Sequence, residues 1–242
     1  LHRERVVGVP EVTSVETITA PFAPGHRVAS PPAQGLPNAT EYCRGTSNSA
    51  ALATRAAAHA FNVIGALRAT QAEAVPPRFD AVLIKALLVH GASWGDMAAR
   101  LQALRPDLTD WRVQREFVAR WLGYGPTDVD RALTCTDQRA TLVGVGEVGQ
   151  NQAQVFEVPL PPGLSAQAIP RRMVVTLAWL SPTNPSQQAY RGARLWIEPP
   201  QEELRVKRTE CVHDHSQRGT LQHDVLEGED AVAFVDGAQI QL

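Results

Sequence analysis

Two patterns of apolar and polar positions divide this chain. From Asn48 to Ala74, Ala, Leu and Arg dominate and Gly65 is the main interruption. Those residue types favour helix, so the run predicts one long helix, ended at Pro76-Pro77. Its small residues, Ala50, Ala51, Ala53, Ala56, Ala57, Ala58 and Ala60, let it run close to its neighbours and predict a central, buried position. Phe79 to Val89 predicts a second helix, with Ala81, Ile84, Lys85 and Leu88 at i, i+3, i+4 and i+7. His90 follows at its C-terminal end, where a cation is favoured, and reads as a cap and not a ligand. Trp94 to Leu104 and Trp111 to Leu122 predict two more helices. Asp110 is placed to cap the latter, Gly123-Tyr124-Gly125 closes it, and Asp128 to Leu133 adds a short turn.

The flanks read differently. Residues 5 to 20 are extended, with Val6, Val7, Val9, Val12, Val15 and Ile18 interrupted by Gly8 and Pro10. Residues 21 to 46 hold five prolines and three glycines and predict surface loop around a short strand. Beyond Cys135, strand-like runs alternate with turns. They are Ala140–Val148, Gln152–Leu160, Arg172–Trp179, Ala193–Glu198, Leu204–Arg208, Leu221–Leu226 and Ala231–Leu242. In Arg172–Trp179 both alternating sets are apolar, which predicts a central, buried strand. Short strands at this spacing suggest a β-sandwich of about 100 residues. The predicted class is therefore α/β followed by all-β, with a boundary near residue 139.

Composition narrows the classes. The chain has 242 residues, 44% hydrophobic and 20% charged, which is globular and not disordered. A net charge of −2 argues against a nucleic-acid partner. No apolar run is long enough to predict a membrane span. Cys43, Cys135 and Cys211 form no C-x-x-C pair, which predicts neither a disulfide framework nor a zinc site and points weakly to a reducing compartment such as the cytoplasm. The chain starts at Leu1 and reads as the C-terminal piece of something longer.

The candidate chemistry lies where loop turns into long helix, at Gly45-Thr46-Ser47-Asn48. A serine here has two readings. As an N-cap it accepts a backbone N–H two or three residues on, and by spacing alone this is the favoured reading. As a nucleophile it attacks beside the unpaired N–H groups and positive dipole end of a helix, where an oxyanion is stabilised. Upstream lies Ile18-Thr19-Ala20-Pro21-Phe22-Ala23-Pro24-Gly25, and downstream Ile84-Lys85-Ala86-Leu87-Leu88-Val89-His90-Gly91-Ala92. An Ala-Pro-Gly loop, a Gly-Thr-Ser helix start and an Ala-Leu-Leu-Val helix, in that order, resemble the C-terminal half of a subtilase (subtilisin-like serine protease) catalytic domain. The resemblance covers about residues 1 to 135. It implies the C-terminal part of a subtilisin-like three-layer domain over residues 1–139 and a following β-sandwich over 140–242.

The resemblance implies peptide hydrolysis by a Ser-His-Asp triad. Ser47 is its nucleophile, and Gly45 and Thr46 beside it contact the polypeptide substrate. The Ser47 backbone N–H is one oxyanion donor. A histidine takes the hydroxyl proton and an aspartate fixes that histidine's tautomer. No cofactor or metal is needed. The family order is Asp, His, Ser, with an oxyanion asparagine also before the serine. The 46 residues before Ser47 contain His2, His26, Glu4, Glu11, Glu16, Glu41 and Asn38 but no aspartate, in no motif of the family. An upstream segment is therefore expected to supply Asp, His and Asn, and these 242 residues alone are expected to be inactive. The family's usual proline and histidine after the serine are Ala51 and Leu52 here, and Thr54 and Arg55 stand where small residues are usual, which marks a divergent branch or a non-catalytic relative.

Other residues carry weaker signals. Asn38, Glu41, Tyr42 and Arg44 read equally as a cleft lining and as solvated loop. His213, Asp214 and His215 with His223 form a metal-like grouping, for which a solvated loop is the favoured reading. Arg171, Arg172, Arg191 and Arg194 suit carboxylates, though scattered surface charge is the default, and Tyr190 and Trp196 read as sandwich core. The alternative to a protease is a pseudo-protease or a β-sandwich that binds another protein. A serine esterase is disfavoured, because there is no G-x-S-x-G elbow.

Overall fold

The computed structural model describes residues 4–9, 12–17, 25–30, 39–70, 75–136, 139–160, 163, 165–188, 192–198, 204–210, 219–233 and 239–241. Helices and antiparallel sheets together make the chain mixed α/β. It divides into two compact units, Leu1–Arg55 and Ala56–Leu242.

In the first unit, strands β1 (Glu4–Val9) and β2 (Val12–Thr17) pair antiparallel, from Glu4 opposite Thr17 to Val9 opposite Val12. The β-branched runs form the expected extended structure. Strands β3 (His26–Ala29) and β4 (Thr40–Cys43) form a second hairpin, with His26 opposite Cys43 and Val28 opposite Glu41. From its end the chain passes through Arg44 and Gly45 into helix α1 (Thr46–Thr70), which crosses into the second unit.

The second unit opens with the rest of α1. A 3-10 turn (Pro77–Phe79) leads into α2 (Asp80–His90), followed by α3 (Asp96–Ala103), α4 (Trp111–Leu122) and α5 (Val129–Leu133). Asp110 caps α4 as its sequence predicts, accepting from Arg112 N at 2.7 Å and Val113 N at 3.4 Å. Gly123 follows at φ 58°, a left-handed value that ends the helix. Ala60 and Ile64 of α1, Leu83 and Leu87 of α2, and Val129 and Ala132 of α5 form one apolar core. At Gly91 a Cβ would lie 1.8 Å from the Asp128 carbonyl oxygen, so only glycine lets the chain after α2 meet the start of α5.

The expectation that α1 is central and buried is corrected: its buried residues are Ala60 and Ile64, and Phe61 is exposed. Alanine permits close approach on every side but supplies no neighbour. Burial is decided by what packs on the helix, not by its own small residues.

Strands β6 (Arg171–Ala178), β7 (Lys207–Glu210) and β8 (Leu221–Gly228) form an antiparallel sheet in the order β6-β8-β7. Strands β5 (Glu157–Pro159) and β9 (Gln239–Gln241) pair separately. Helix α2 packs against β6 and β8. Val175, Leu204, Val206 and Leu226 form a core with Val158, Leu160, Met173 and Ile197. The predicted centre of the sheet is also corrected. Strand β8 holds the middle, and Leu221 to Leu226 are all buried, although Gln222, His223 and Asp224 are polar. Apolar alternation identifies strands that bury hydrocarbon. It misses one that buries polar side chains, among them Gln222, which bonds the backbone of Ile197.

Those bonds also explain Ala193–Glu198, which joins no described ladder. Its Ala193, Leu195 and Ile197 are half-buried, while Arg194, Trp196 and Glu198 point outward. The Gln222 amide takes the place of a neighbouring strand, accepting from Ile197 N and donating to Ile197 O, both at 2.9 Å. Trp196 is 65% exposed, against the expectation of burial. Period-two alternation put it on the face turned from the core. The predicted strand Ala140–Val148 has no ladder either.

Candidate functional site

The Gly45-Thr46-Ser47 turn is built by the β4–α1 junction. Gly45 has φ 150°, a conformation that favours glycine, and open space where a Cβ would lie. Its requirement for glycine is thus in the backbone and not in crowding. The Ser49 N–H donates to the Gly45 carbonyl at 3.2 Å, the i to i−4 bond that opens the helix. The residue whose carbonyl accepts that bond occupies the N-cap position, so Gly45 is the cap and Thr46, Ser47 and Asn48 fill the first three helical places. Ser47 is exposed in the first turn.

This changes the balance between the two readings of Ser47. An N-cap serine stands outside the helix and accepts from residues inside it, whereas Ser47 is already inside. The cap reading, favoured by spacing alone, is corrected. Helix geometry leaves the first four N–H groups, that of Ser47 among them, without intrahelical acceptors. The hydroxyl and the free N–H groups therefore sit together at the positive end of a 25-residue helix.

The residues around this turn are placed as follows. His26 opens β3, opposite Cys43, and is exposed. Tyr42 and Arg44 are half-buried and Glu41 is exposed. The Arg44 side chain lies across Gly25, where a Cβ would meet its Cγ at 3.2 Å and the Cys43 carbonyl oxygen at 3.1 Å. Asn38 and the Ile18–Pro24 stretch lie outside the described residues, as do His213, Asp214, His215, Tyr190, Arg191 and Cys211. Among the described residues no three His, Cys, Asp or Glu side chains group as metal ligands. No described helix is long and apolar enough to cross a membrane.

The second unit holds a partly buried polar layer around His223, which the sequence grouped with His213, Asp214 and His215 as metal-like or, in the favoured reading, solvated loop; His223 is instead buried in β8. Thr176 of β6 and His223 of β8 stand directly opposite each other. The Thr176 hydroxyl is 2.8 Å from His223 Nδ1 and 3.1 Å from His90 Nδ1. His90, read from sequence as a helix cap, is corrected to a link between α2 and the sheet. Tyr124 meets the His223 ring edge-on at 5.8 Å. Lys85 of α2 donates to the Thr220 carbonyl at 2.9 Å. Burial, and after it the neighbouring His90, push the His223 imidazole down to about 4. Burial and then Arg131 also lower His90. The cue in the sequence was the place of His223 inside the strand-like run Leu221–Leu226.

A cleft of about 370 Å³ lies nearby, lined in part by Trp94, Gln102, Trp111, Arg115 and Glu210. Glu210 accepts from the Ser93 hydroxyl and from Trp94 N, both at 2.8 Å, and Arg172 bonds Glu227 at 3.0 Å. Arg172 thus has a carboxylate partner, as its residue type suggested, but that partner is the protein's own. These contacts pin the α2–α3 link to the sheet.

Comparison with protein-family models, with curated proteins and with solved structures found no match.

Proposed function

We propose that this chain carries the nucleophile-bearing part of a subtilase-type serine endopeptidase. It works with a segment upstream of it that supplies the triad aspartate and histidine and the oxyanion asparagine. The observation that carries the reading is the position of Ser47: exposed, in the first turn of α1, with Gly45 and not Ser47 as the cap. The Gly-Thr-Ser motif, the preceding Ala-Pro-Gly loop and the Ala-Leu-Leu-Val run of α2 support it. The finer architecture belongs to the same proposal: the end of a three-layer catalytic domain over residues 1–139, then a β-sandwich.

In this mechanism the Ser47 hydroxyl attacks the scissile carbonyl while the upstream histidine takes its proton. The tetrahedral oxyanion is held by the Ser47 N–H and the upstream asparagine. Loss of one such donor slows turnover by about 10²–10³. The histidine returns the proton to the leaving amine, an acyl group remains on Ser47, and water releases it by the same steps. Gly45 and Thr46 line the approach of the polypeptide.

The test is labelling with a fluorophosphonate, which reacts with an activated serine. The full reading frame is expected to label, its Ser47→Ala variant and the 242 residues alone to stay unlabelled. Labelling of the 242 residues themselves would mean that a base such as His26 reaches Ser47, against the need for an upstream segment. No labelling of any form would overturn the protease reading in favour of a pseudo-protease or a protein-binding module. Ala51 and Leu52 at the two positions after the serine where the family differs are what favour that alternative.

A further inference from the structure

We infer that His90, Thr176 and His223 form an acid-sensitive latch between α2 and the β6-β8-β7 sheet, closed while both imidazoles are uncharged and opened by their protonation. The inference is independent of the chemistry at Ser47.

The three side chains come from three elements and meet at one oxygen. The Thr176 hydroxyl has a single hydrogen and two imidazole Nδ1 atoms at 2.8 and 3.1 Å. With neutral rings every hydrogen at this oxygen is used when the hydroxyl donates to one Nδ1 and accepts from the Nδ1–H of the other. In that arrangement the rings hold opposite tautomers. If both rings carry two protons, both Nδ1–H groups point at the hydroxyl oxygen and the hydroxyl hydrogen loses its acceptor. Thr176 and His90 are half-buried and His223 is buried. His223 is 4% exposed, and its Nε2 is buried without a hydrogen-bond partner. A second proton there places a cation in a buried ring.

The surroundings reinforce this. Arg131 of α5 opposes charge on His90, and Arg172 of β6 and His90 itself oppose it on His223. Lys85 of α2 lies near the same end of β8, bonded to Thr220. The Tyr124 ring faces His223. On the other side are the Ala92 backbone and Asp224, which favour the charged form of His223 but are outweighed by burial and His90. The Asp224 Oδ2 atom is engaged by Gln222 at 2.7 Å and Arg208 at 3.5 Å. Charge on the two rings is relieved by parting them. His90 is the last residue of α2, so the end of that helix can lift without breaking the sheet ladder.

Amide hydrogen exchange followed residue by residue tests this between pH 7.5 and 4.5, with rates corrected for intrinsic chemistry. Protection of Leu87 to His90 is expected to fall at least tenfold, while that of Val118 and Ala119 in α4 stays level. A His90→Gln, His223→Gln double variant keeps hydrogen-bonding side chains that cannot titrate and is expected to lose the pH response. Equal loss in α2 and α4, no loss, or an unchanged response in the double variant would each overturn the latch. If that variant fails to fold, His90→Gln alone decides. It removes the pair repulsion and is expected to shift the loss to lower pH, and an unshifted loss overturns the proposal. A histidine NMR titration gives a further check, since either ring titrating at the ordinary value in the folded protein would also sink it.

Discussion

Ser49 donates twice to Gly45: its backbone N–H reaches the Gly45 carbonyl oxygen at 3.2 Å and its hydroxyl reaches the same oxygen at 3.3 Å. This pair fixes where α1 starts, and with it the place of Ser47 one residue inside the helix and not at its cap. The backbone of Gly45 makes the sharp change from β4 into the helix.

Gly45→Ala therefore acts on the backbone alone. A Cβ has open space there, but φ 150° is strained for any residue with a side chain. The expected cost is about 1–3 kcal/mol, read as a lower midpoint in urea. An unchanged midpoint would show that the turn relaxes to an ordinary conformation without penalty. In the full reading frame the same change is expected to lower fluorophosphonate labelling, because it moves the first turn of α1.

Gln222→Leu tests the side chain that stands in for a strand. Gln222 is buried, satisfies both backbone groups of Ile197 and donates to Asp224 Oδ2 at 2.7 Å. Leucine keeps the bulk, leaves both Ile197 backbone groups unpaired and leaves Asp224 Oδ2 with Arg208 alone. Each lost partner costs about 1–3 kcal/mol where it cannot reach water. A loss of at least ~2 kcal/mol is expected by chemical denaturation. A change below ~0.5 kcal/mol would mean that the Ala193–Glu198 segment is held by its apolar side chains alone.

Stability is expected to fall as the solution is acidified from pH 6.5 towards pH 4. His223 is depressed to about 4 in the fold from an ordinary 6.5, so the unfolded chain binds the proton first. The contribution of the neutral ring is fully present above pH 6.5, and about 3 kcal/mol is lost by pH 4. His90, lowered by burial and Arg131, adds in the same direction. Urea unfolding at pH 7.5, 5.5 and 4 measures it, and His223→Gln is expected to remove most of the slope. A slope that persists in this variant would assign the acid loss to other groups.

Local signals in the sequence carried far where the structure is local. Asp110 before Trp111 and Gly123 after Leu122 marked both ends of α4, because a cap and a left-handed stop are made by residues next to the helix they bound. The start of α1 was also legible, but the residue acting as its cap was not. Ser47 and Gly45 both suit a cap by type, and the choice rests on which carbonyl accepts the Ser49 N–H. His90 illustrates the same limit. Its place at the end of α2 gave it a local role, while its partner Thr176 lies 86 residues on.

What the sequence by itself determined is the series of helices from α1 to α5, the strand-rich texture after Cys135, and a helix start at Gly-Thr-Ser. Each follows from the propensity and spacing of neighbouring residues. Only the tertiary structure decided which strand is central, which faces of α1 are buried, and that two histidines share one hydroxyl between α2 and the sheet. Those depend on contacts between residues far apart in the chain. There the polar residues Gln222 and His223 of β8 can be buried, because Gln222 bonds Ile197 and His223 bonds Thr176, contacts that no periodicity reveals.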